Sequence, residues 1–491
     1  MAATVGFPEM VLDRAAGVIV GGAVGDALGA GYEYGALCPP EKVAMRPGAL
    51  TGRPAGAWTD DTDMALGIAQ VVATGQTLEP GGQGLSAVAE QFLAWYRSVP
   101  PDIGNQTRAV LSAARRSEGP GNPAATMTAA ALAYQEVHPE AAGNGSLMRT
   151  GPVALSALGD DQALVASAVA VSSLTHPHPL ATEACVLWCV AIDRAVREAR
   201  LDGIWEGIAL LAPDRRGYWQ ERLEEAAVLP IEQLKTGGFV VTTLQGAWRA
   251  IVSTEQESGP GHLEAALRAA VAIGGDTDTV AAIAGALLGA RYGAAAVPFG
   301  WRRHLQGWPS DLRHPDLVAL GVRAKTGGQG DNIGWPLVDD LAPYYRRTFH
   351  PSGQSVELPG HPGVLWGDIE GLAEADAASF VSLCRIGTGQ RRGEQHHQVW
   401  LMDNDHNADL PFVLSDTADA VETLRQETGQ VFVHCVRAES RTPTVAAAWL
   451  VRHRGLTPDA ALAAIHQAMP AHPNTAMVAA LSTLAPAKGP A

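Results

Sequence analysis

Residues 274–293 read GGDTDTVAAIAGALLGARYG, a short acidic segment followed by an apolar run. The apolar run, 280–290, is rich in alanine and glycine, and such small residues suit a helix that packs closely against its neighbours. It is too short to cross a bilayer and ends at Arg291. The segment before it, 276–279, places two aspartates and two threonines at the N-terminus of the predicted helix.

The same alanine- and glycine-rich texture extends to both sides of this helix. Apolar residues recur with helical spacing, and we find no run of alternating strand-like residues among them. We therefore predict an all-α N-terminal domain over residues 1–345. Its clearest helical stretches are 65–74, 162–173, 181–200, 239–253 and 263–273.

The texture changes after a polar, proline-containing segment, 346–357, which we interpret as a linker. Beyond it, short runs rich in β-branched and aromatic residues alternate with helical stretches, as in a small α/β domain with a largely parallel sheet. We place this second domain at 358–491. Its predicted strands are 364–366, 380–383, 399–402 and 431–433, and its predicted helices are 417–427 and 442–454.

Composition limits the classes of protein to consider. The 491 residues are 47% hydrophobic and 18% charged, which excludes a wholly disordered chain and favours two or more domains. The net charge of −16 argues against a broad nucleic-acid binder, and five cysteines are too few for a disulfide-stapled secreted module of this size. The first ten residues lack the basic and apolar regions of a signal peptide. We expect a cytoplasmic protein with neither nucleic-acid nor membrane partners.

A second acidic cluster, TDDTD at 59–63, also precedes a predicted helix. Either cluster alone can be interpreted as helix capping, since Asp and Thr accept hydrogen bonds from free amides. A cap needs only one such side chain, and adjacent carboxylates repel one another unless a cation neutralises them. Oxygen ligands without Cys or His select a hard divalent ion such as Mg²⁺ or Mn²⁺. If the two helix N-termini face each other, two metals can be held by Thr59, Asp60, Asp61, Asp276, Asp278 and Thr279.

Three further stretches can surround such a metal centre. Residues 21–33 form a glycine-rich helix that ends in Tyr-Glu, 143–149 form a loop whose amides can approach phosphates, and 175–179 place two histidines on a rigid turn. Each of them alone also has a structural explanation: tight helix packing, a turn before a helix, or an ordinary proline-rich turn.

Taken together in chain order, these stretches resemble the ADP-ribosylglycohydrolase family. The resemblance rests on GDALGAGYE (25–33), WTDDTDMAL (58–66), GNGSLMRTGPVAL (143–155), SLTHPHP (173–179), GGFVVTTLQGAW (237–248) and the stretch at 274–293. It implies an all-α fold, a centre of two Mg²⁺ (or Mn²⁺) ions, and hydrolysis of an N- or O-glycosidic bond to ADP-ribose. The implied partner is an ADP-ribosylated protein or a small ADP-ribose conjugate. Arginine is the leading candidate for the leaving group, with serine esters or O-acetyl-ADP-ribose as alternatives.

The resemblance also implies roles for individual residues. Either Asp60 or Asp61 would take the proton of the attacking water. Glu33 matches an acidic residue beside the metal site, His176 a residue of the ribose pocket, and Phe239 an aromatic that stacks on adenine. The loop that contacts the phosphates and ribose is matched by Asn144, Gly145 and Ser146. The metal ligands are matched by Thr59, Asp60, Asp61, Asp276, Asp278 and Thr279.

Residues 431–442, VFVHCVRAESRT, place Cys435 and Arg441 in a loop between a buried strand and a helix. There the loop amides, the helix dipole and the arginine would stabilise both a thiolate and a phosphate dianion. Residues 358–484 resemble the cysteine-based protein-tyrosine and dual-specificity phosphatases, which use no cofactor. The resemblance implies Cys435 as the nucleophile, Arg441 as the phosphate-binding residue and Thr442 as the hydroxyl that assists thiolate release. Asp403 is the first candidate for the general acid, and Asp405 is the second.

Two residues of this loop depart from the phosphatase pattern. Ala438 stands where glycine is usual, and Glu439 adds a negative charge to an anion-binding loop. The leading hypothesis is a bifunctional hydrolase with two independent chemistries. Two alternatives stay open: an ADP-ribose-binding module attached to an active phosphatase, and an active glycohydrolase attached to a phosphate-binding pseudophosphatase.

Overall fold

The computed structural model describes residues 8–117, 119, 121–234, 236–307 and 311–487. The chain divides into two compact units, one formed by Met1–Val297 and Trp301–Gln329 and the other by Pro298–Gly300 and Gly330–Ala491. The fold class predicted from the sequence is confirmed, because the first unit is helical and the second is a small α/β domain. Among the described residues, no helix combines the length and the apolar character needed to span a membrane.

The first unit is built from α-helices, which agree to within a few residues with the five helical stretches predicted from the sequence. Of the short helix α14, only Trp301 and Arg302 belong to this unit. In chain order the helices are α1 (Pro8–Gly29), α2 (Asp60–Val72), α3 (Gln83–Arg97), α4 (Asn105–Arg116), α5 (Pro123–Val137), α6 (Gly151–Ala154), α7 (Asp161–Ser173), α8 (Pro179–Glu198), α9 (Ile204–Leu210), α10 (Pro213–Val228), α11 (Val240–Val252), α12 (Gly259–Ala272), α13 (Thr277–Tyr292), α14 (Phe299–Arg302) and α15 (His314–Lys325).

Helices α1 and α13 pack backbone against backbone. Four glycines of α1, each four positions after the last, face α13, and a Cβ at any of them would lie between 2.0 and 2.4 Å from a carbonyl oxygen of that helix. Glycine is therefore required at Gly17, Gly21, Gly25 and Gly29. Because Gly29 lies directly against the backbone of Asp278, the contact brings the C-terminal end of α1 beside the acidic cluster of α13.

We expect Gly21→Ala to destabilise the first unit and its neighbour Gly22→Ala to leave it as stable or more so. A Cβ at Gly21 would stand 2.2 Å from the Gly285 carbonyl oxygen, whereas one at Gly22 would meet its nearest atom at 3.6 Å. Gly21→Ala should lower the free energy of unfolding by about 2–3 kcal/mol through overpacking. Gly22→Ala should raise it by up to about 1 kcal/mol because alanine favours the helix. Urea unfolding of the full chain measures both, and equal effects would contradict the backbone contact.

The second unit contains a five-stranded sheet with the spatial order β1-β2-β5-β3-β4. The strands are β1 (Ser355–Glu357), β2 (Val364–Gly367), β3 (Ser379–Ser382), β4 (His396–Gln398) and β5 (Val431–His434). β1 is antiparallel to β2, and the other neighbouring pairs are parallel. The helices of this unit are α16 (Ala342–Phe349), α17 (Gly371–Glu374), α18 (Leu410–Thr428), α19 (Arg441–Arg454), α20 (Pro458–Ala468) and α21 (Thr475–Leu481).

Two details of the second unit differ from the sequence-based expectation. The predicted strand at 399–402 is wrong, because β4 ends at Gln398 and the Leu401 carbonyl accepts a hydrogen bond from Arg441 at 3.3 Å instead of from a strand. The segment 346–357, predicted as a linker, contains the end of α16 and all of β1. Helix α16 packs within this unit, since Tyr345 is buried and its hydroxyl donates to the Arg385 carbonyl at 3.0 Å.

Candidate functional site

A cavity of about 400 Å³ opens in the first unit where several helix ends meet. Its walls come from the N-termini of α2 and α13, the segment that follows α1, residues 102–107 at the start of α4, and the loop at 143–145. Nine of the residues predicted from the sequence line it, namely Glu33, Asp60, Asp61, Asn144, Gly145, His176, Asp276, Asp278 and Thr279.

The two acidic clusters contact each other inside this cavity. The Thr59 hydroxyl lies 3.3 Å from Asp61 Oδ2 and 3.5 Å from Asp278 Oδ2. The Thr279 hydroxyl lies 3.4 Å from the same oxygen of Asp61. The N-termini of α2 and α13 therefore face each other, although their residues are about 220 positions apart in the chain.

Asp26 of α1, a residue to which we assigned no role from the sequence, caps α2. Its carboxylate accepts hydrogen bonds from the amide and hydroxyl of Thr59, at 3.0 and 2.9 Å, and from those of Thr62, at 3.0 and 2.6 Å. The N-cap side chains of α2 and α13, Thr59 and Asp276, make no capping bond with the described residues. Capping therefore does not explain the two clusters. Asp26 lies within the GDALGAGYE stretch, which marks its position but not its capping role.

The carboxyl groups of the cavity are buried close to one another. The pKa values of Asp60, Asp61 and Asp278 are raised well above their usual range. Burial is the largest cause, and repulsion from neighbouring carboxylates is the second. The pKa of Glu33 rises to about 8 for the same two reasons, with Asp102 the largest source of repulsion. Carboxyl groups in such surroundings either stay protonated or require a cation.

The oxygen atoms of this cavity fit a hard divalent cation. One oxygen each from Glu33, Asp276 and Asp278 lie within 4.8 Å of one another. Asp61 Oδ1 is buried and has no hydrogen-bond partner in the described part of the chain. Asp102 adds a further carboxylate to the lining. It stands in a short loop before α4 and belongs to none of the motifs, so it could not be predicted from the sequence.

Asn144 and His176 are held in place by hydrogen bonds. The Asn144 amide donates to Asp276 Oδ2 at 2.7 Å and to the Thr243 hydroxyl at 3.1 Å. Burial, with Arg149 nearby, lowers the pKa of His176 to about 3, so its ring is neutral. Gly145 packs beneath this ring, where a Cβ would lie 2.8 Å from Cε1.

Two of the predicted substrate contacts do not reach the cavity with their side chains. The Ser146 hydroxyl is buried on the side of α7 and α8, where it accepts a hydrogen bond from Ser172 at 2.8 Å. Phe239 follows Gly238, which lines the cavity, but Phe239 itself is 43% exposed and is not among the described residues that line it. Helix packing accounts for the direction of Ser146, and Phe239 occupies the N-cap of α11.

In the second unit, a loop connects β5 to α19 and begins at Cys435, which is buried. In the described chain, the amides of residues 436–440 donate no hydrogen bond to another backbone group. Successive free amides beside a helix N-terminus form a site for an anion. The loop therefore has the structure that the sequence predicted for a phosphate site.

Arg441, the first residue of α19, extends beneath this loop. Its Nη1 donates to the Leu383 carbonyl at 2.8 Å and lies 3.3 Å from the Leu401 carbonyl. Its Nε is buried and has no hydrogen-bond partner among the described residues. Because a buried donor without an acceptor is costly, a bound anion would satisfy this group.

Asp403, and not Asp405, lies at the loop. Asp403 Oδ1 accepts hydrogen bonds from the Ser440 hydroxyl at 2.6 Å and the Asn474 amide at 3.1 Å, and its Oδ2 lies 3.9 Å from Arg441 Nε. The side chain of Asp405 is 78% exposed and lies 3.4 Å from His406. The geometry favours the first of the two candidates for the general acid.

The structure also describes Thr442, in the first turn of α19, and the two loop residues that depart from the phosphatase pattern. The hydroxyl of Thr442 donates to the Gly367 carbonyl, at 3.3 Å, and not to the Cys435 sulfur. Ala438 has a φ of +56°, the left-handed conformation that glycine adopts more easily. Glu439 forms an ion pair with Arg437 at 2.7 Å, which compensates the negative charge that it brings to the loop.

Comparison with protein families agrees with both units. The family profile described as ADP-ribosylglycohydrolase matches residues 8–331, more than half of the chain. The chain belongs to the ADP-ribosylglycohydrolase family. A second profile, for the catalytic domain of dual specificity phosphatases, matches residues 381–484. A phosphatase-like domain thus follows the ADP-ribosylglycohydrolase domain in the same chain.

Relatives of known name resemble each domain. The ADP-ribosylglycohydrolase domain is 30% identical over 299 residues to the ADP-ribosyl-dinitrogen reductase glycohydrolase of Rhodospirillum rubrum, an alignment that covers 59% of this chain and 90% of the relative. It is also 30% identical over 334 residues to the ADP-ribosylarginine hydrolase Tri1 of Pseudomonas putida (strain GB-1), covering 64% and 82%. The dual specificity protein phosphatase 5 of Rattus norvegicus is 33% identical over 57 residues, which are 11% of this chain and 15% of the rat protein.

Proposed function

We propose that the chain is a bifunctional hydrolase that releases ADP-ribose from modified arginine side chains and hydrolyses phosphomonoesters. The observation that carries the first activity is the meeting of two acidic clusters in one cavity. Helix capping does not explain them, because Asp26 caps α2 and the described residues supply no side-chain cap at the N-cap of α13. The names of two relatives, a hydrolase of ADP-ribosylarginine and a glycohydrolase of an ADP-ribosylated protein, support arginine as the leaving group.

The first activity needs divalent cations, and the oxygens of the cavity fit Mg²⁺ or Mn²⁺. Bound cations would supply Lewis acidity, which orients the hydroxyls of the distal ribose and lowers the pKa of the attacking water. The residues that we propose to hold two such ions are Thr59, Asp60, Asp61, Asp276, Asp278 and Thr279.

The side chains of the cavity then carry the remaining steps. Asp60 or Asp61 accepts the proton of the water that attacks C1″ of the distal ribose. As the bond between C1″ and the leaving nitrogen breaks, positive charge develops on the sugar, and the surrounding carboxylates stabilise it. The nitrogen leaves with the bonding electron pair as a neutral guanidine, which takes up the proton that the aspartate accepted. Asn144 and the neutral His176 contact the ribose and phosphates, and Glu33 lies on the lining beside them.

The second activity uses the Cys435 loop. The Cys435 thiolate attacks phosphorus and displaces the leaving oxygen, which takes a proton from Asp403. The free amides of 436–440 and Arg441 bind the remaining phosphate oxygens. Water then attacks the phosphocysteine with Asp403 as the base, which releases phosphate and restores the thiolate.

Release of ADP-ribose from an arginine-ADP-ribosylated protein tests the first activity. We expect release in Mg²⁺ or Mn²⁺ and none in EDTA. A serine-ADP-ribosylated protein, assayed in parallel, should release less or none. Tight binding of ADP-ribose in Mg²⁺ without release from either substrate would contradict the proposal and favour a binding module.

The two activities are expected to respond separately to inhibitors. EDTA should stop ADP-ribose release and leave hydrolysis of an aryl phosphate unchanged, because only the first site needs a metal. Alkylation of thiols should do the reverse through Cys435. A loss of both activities in EDTA would contradict the assignment of two independent sites.

A further inference from the structure

Behind the Cys435 loop, three buried polar side chains on three neighbouring strands form a continuous chain of hydrogen bonds. They are His396 on β4, Ser382 on β3 and His434 on β5. The Ser382 hydroxyl lies 2.7 Å from His396 Nε2 and 2.6 Å from His434 Nε2. Ser382 and His434 are direct partners in the register of β3 and β5, so the sheet itself holds them side by side.

A backbone amide determines which group donates in each of these hydrogen bonds. The Arg392 amide donates to His396 Nδ1 at 2.8 Å, and since an amide only donates, this nitrogen must present its lone pair. Burial keeps both histidine rings neutral, with the pKa of His396 lowered to about 2 and that of His434 to about 4. Neutral His396 therefore carries its proton on Nε2 and donates it to the Ser382 oxygen.

The donor in the next hydrogen bond, between Ser382 and His434, follows from this assignment. The single hydroxyl proton of Ser382 is left for its other neighbour, His434 Nε2, which therefore accepts. His434 then carries its own proton on Nδ1, 3.4 Å from the Cys435 carbonyl oxygen. In the opposite tautomer, lone pairs of Nδ1 and of this oxygen would face each other.

The Cys435 carbonyl belongs to the peptide that leads into the anion-binding loop. In a trans peptide the C=O and N–H bonds point in opposite directions. A hydrogen bond from His434 to this carbonyl thus also fixes the direction of the Val436 amide, the first of the loop amides that have no backbone acceptor in the described chain.

We propose that His396 is a positioning residue for the Cys435 loop. Acting through Ser382, it fixes the tautomer of His434 and with it the orientation of the peptide that follows Cys435. The proposal deepens the phosphatase function proposed above by naming a residue that prepares its loop. It concerns the hydrogen bonds behind the loop, so it can be tested without any turnover of a phosphate ester.

Three variants of the full chain test this role. His396→Leu removes the donor to Ser382, whereas His396→Gln retains an amide that can donate in the same direction. His397→Leu is the matched control, because His397 is the next residue of β4 and faces the opposite side of the sheet. If His396→Leu does not fold, Ser382→Ala replaces it, because this variant removes the hydroxyl that links His396 to His434.

The tautomer of His434 is the first measurement, made on protein labelled with ¹⁵N at histidine. Its signals are assigned by their loss in His434→Gln. We expect the wild type, His396→Gln and His397→Leu to carry the His434 proton on Nδ1, and His396→Leu to show a mixture of tautomers. A wild-type His434 protonated on Nε2 would overturn the proposal without reference to any variant.

The rate of alkylation of Cys435 by iodoacetamide, followed by mass spectrometry of its peptide at pH 6, is the second measurement. Misaligned loop amides stabilise the thiolate less, so His396→Leu should react roughly three- to tenfold more slowly than the wild type, the effect expected of one hydrogen bond. His396→Gln should restore the rate, and His397→Leu should keep it. If His396→Leu changes neither the alkylation rate nor the tautomer of His434, the proposal is overturned. If both change as expected but the wild type does not hydrolyse phosphate esters, only the proposed phosphatase activity is contradicted.

Discussion

Asp278→Asn will abolish ADP-ribose release and, in the absence of metal, make the first unit more stable. Asp278 lies where the two acidic clusters meet, 3.5 Å from the Thr59 hydroxyl and among the oxygens that fit a cation. An amide in its place is a weaker ligand and carries no charge. We expect the rate of release in Mg²⁺ to fall by roughly a thousandfold, which corresponds to about 4 kcal/mol of transition-state stabilisation.

The gain in stability follows from the pKa of the same carboxyl. Burial, together with Asp61 and Asp276, raises it well above the usual range. A carboxyl with a raised pKa supports folding where it is protonated, and this contribution is lost as the pH rises through the raised pKa. In EDTA, the variant should therefore melt at a higher temperature than the wild type, by a margin that grows between pH 5 and pH 8.

Added Mg²⁺ should reverse the order of the two proteins. A ligand that binds only the folded state raises its stability, so the melting temperature of the wild type should increase with Mg²⁺ and that of Asp278→Asn should not. Asp214→Asn, at an exposed position of α10, is the control and should match the wild type in all three measurements. Full release by Asp278→Asn in Mg²⁺ would contradict the metal site.

Asp403→Asn will lower the rate of phosphate ester hydrolysis by about a hundredfold, and Asp405→Asn will leave it unchanged. Of the two, only Asp403 lies within reach of the Cys435 loop, through Ser440 and Arg441. Loss of a general acid typically costs that factor or more. The defect should be larger with phenyl phosphate than with p-nitrophenyl phosphate, since the second leaving group departs without help from an acid.

The same variant needs a check that its loop is intact. Asp403 also accepts hydrogen bonds from Ser440 and Asn474, so its loss can disturb the loop as well as the proton transfer. Vanadate binding and the alkylation rate of Cys435 report the loop alone and should stay near the wild-type values. Equal defects with both substrates would count against Asp403 as the acid. Cys435→Ser should remove activity with either substrate.

The sequence predicted most of the fold because its signals are local. Helical spacing identified α7, α8, α11 and α12, and the acidic segments marked the starts of α2 and α13. The role of Asp26 was not predictable in this way, because its partners Thr59 and Thr62 are more than thirty positions away and are reached only after α1 and α2 have packed.

In the second unit, too, contacts between residues that are distant in the sequence could not be predicted. The run at 399–402 has the composition of a strand. However, its Leu401 carbonyl accepts a hydrogen bond from the Arg441 side chain and its Met402 amide donates to the Asn407 side chain, and composition does not predict such side-chain partners. The motif around Cys435 identified the anion loop, whereas the chain of hydrogen bonds behind it joins three strands and has no signature in any one of them.

The glycine contact between α1 and α13 has a consequence for which ions the protein can use. At Gly17, Gly21, Gly25 and Gly29 no side chain separates the backbones of the two helices, so a change of rotamer at these positions cannot alter their spacing. Asp26 fastens α2 to α1, which fixes the spacing of both acidic clusters. Ligand oxygens lie about 2.0–2.1 Å from Mg²⁺ and about 2.3–2.6 Å from Ca²⁺. If the acidic clusters hold a cation, a change in its ionic radius must therefore be met by the side chains that bind it, because the backbones of α1 and α13 are already in contact.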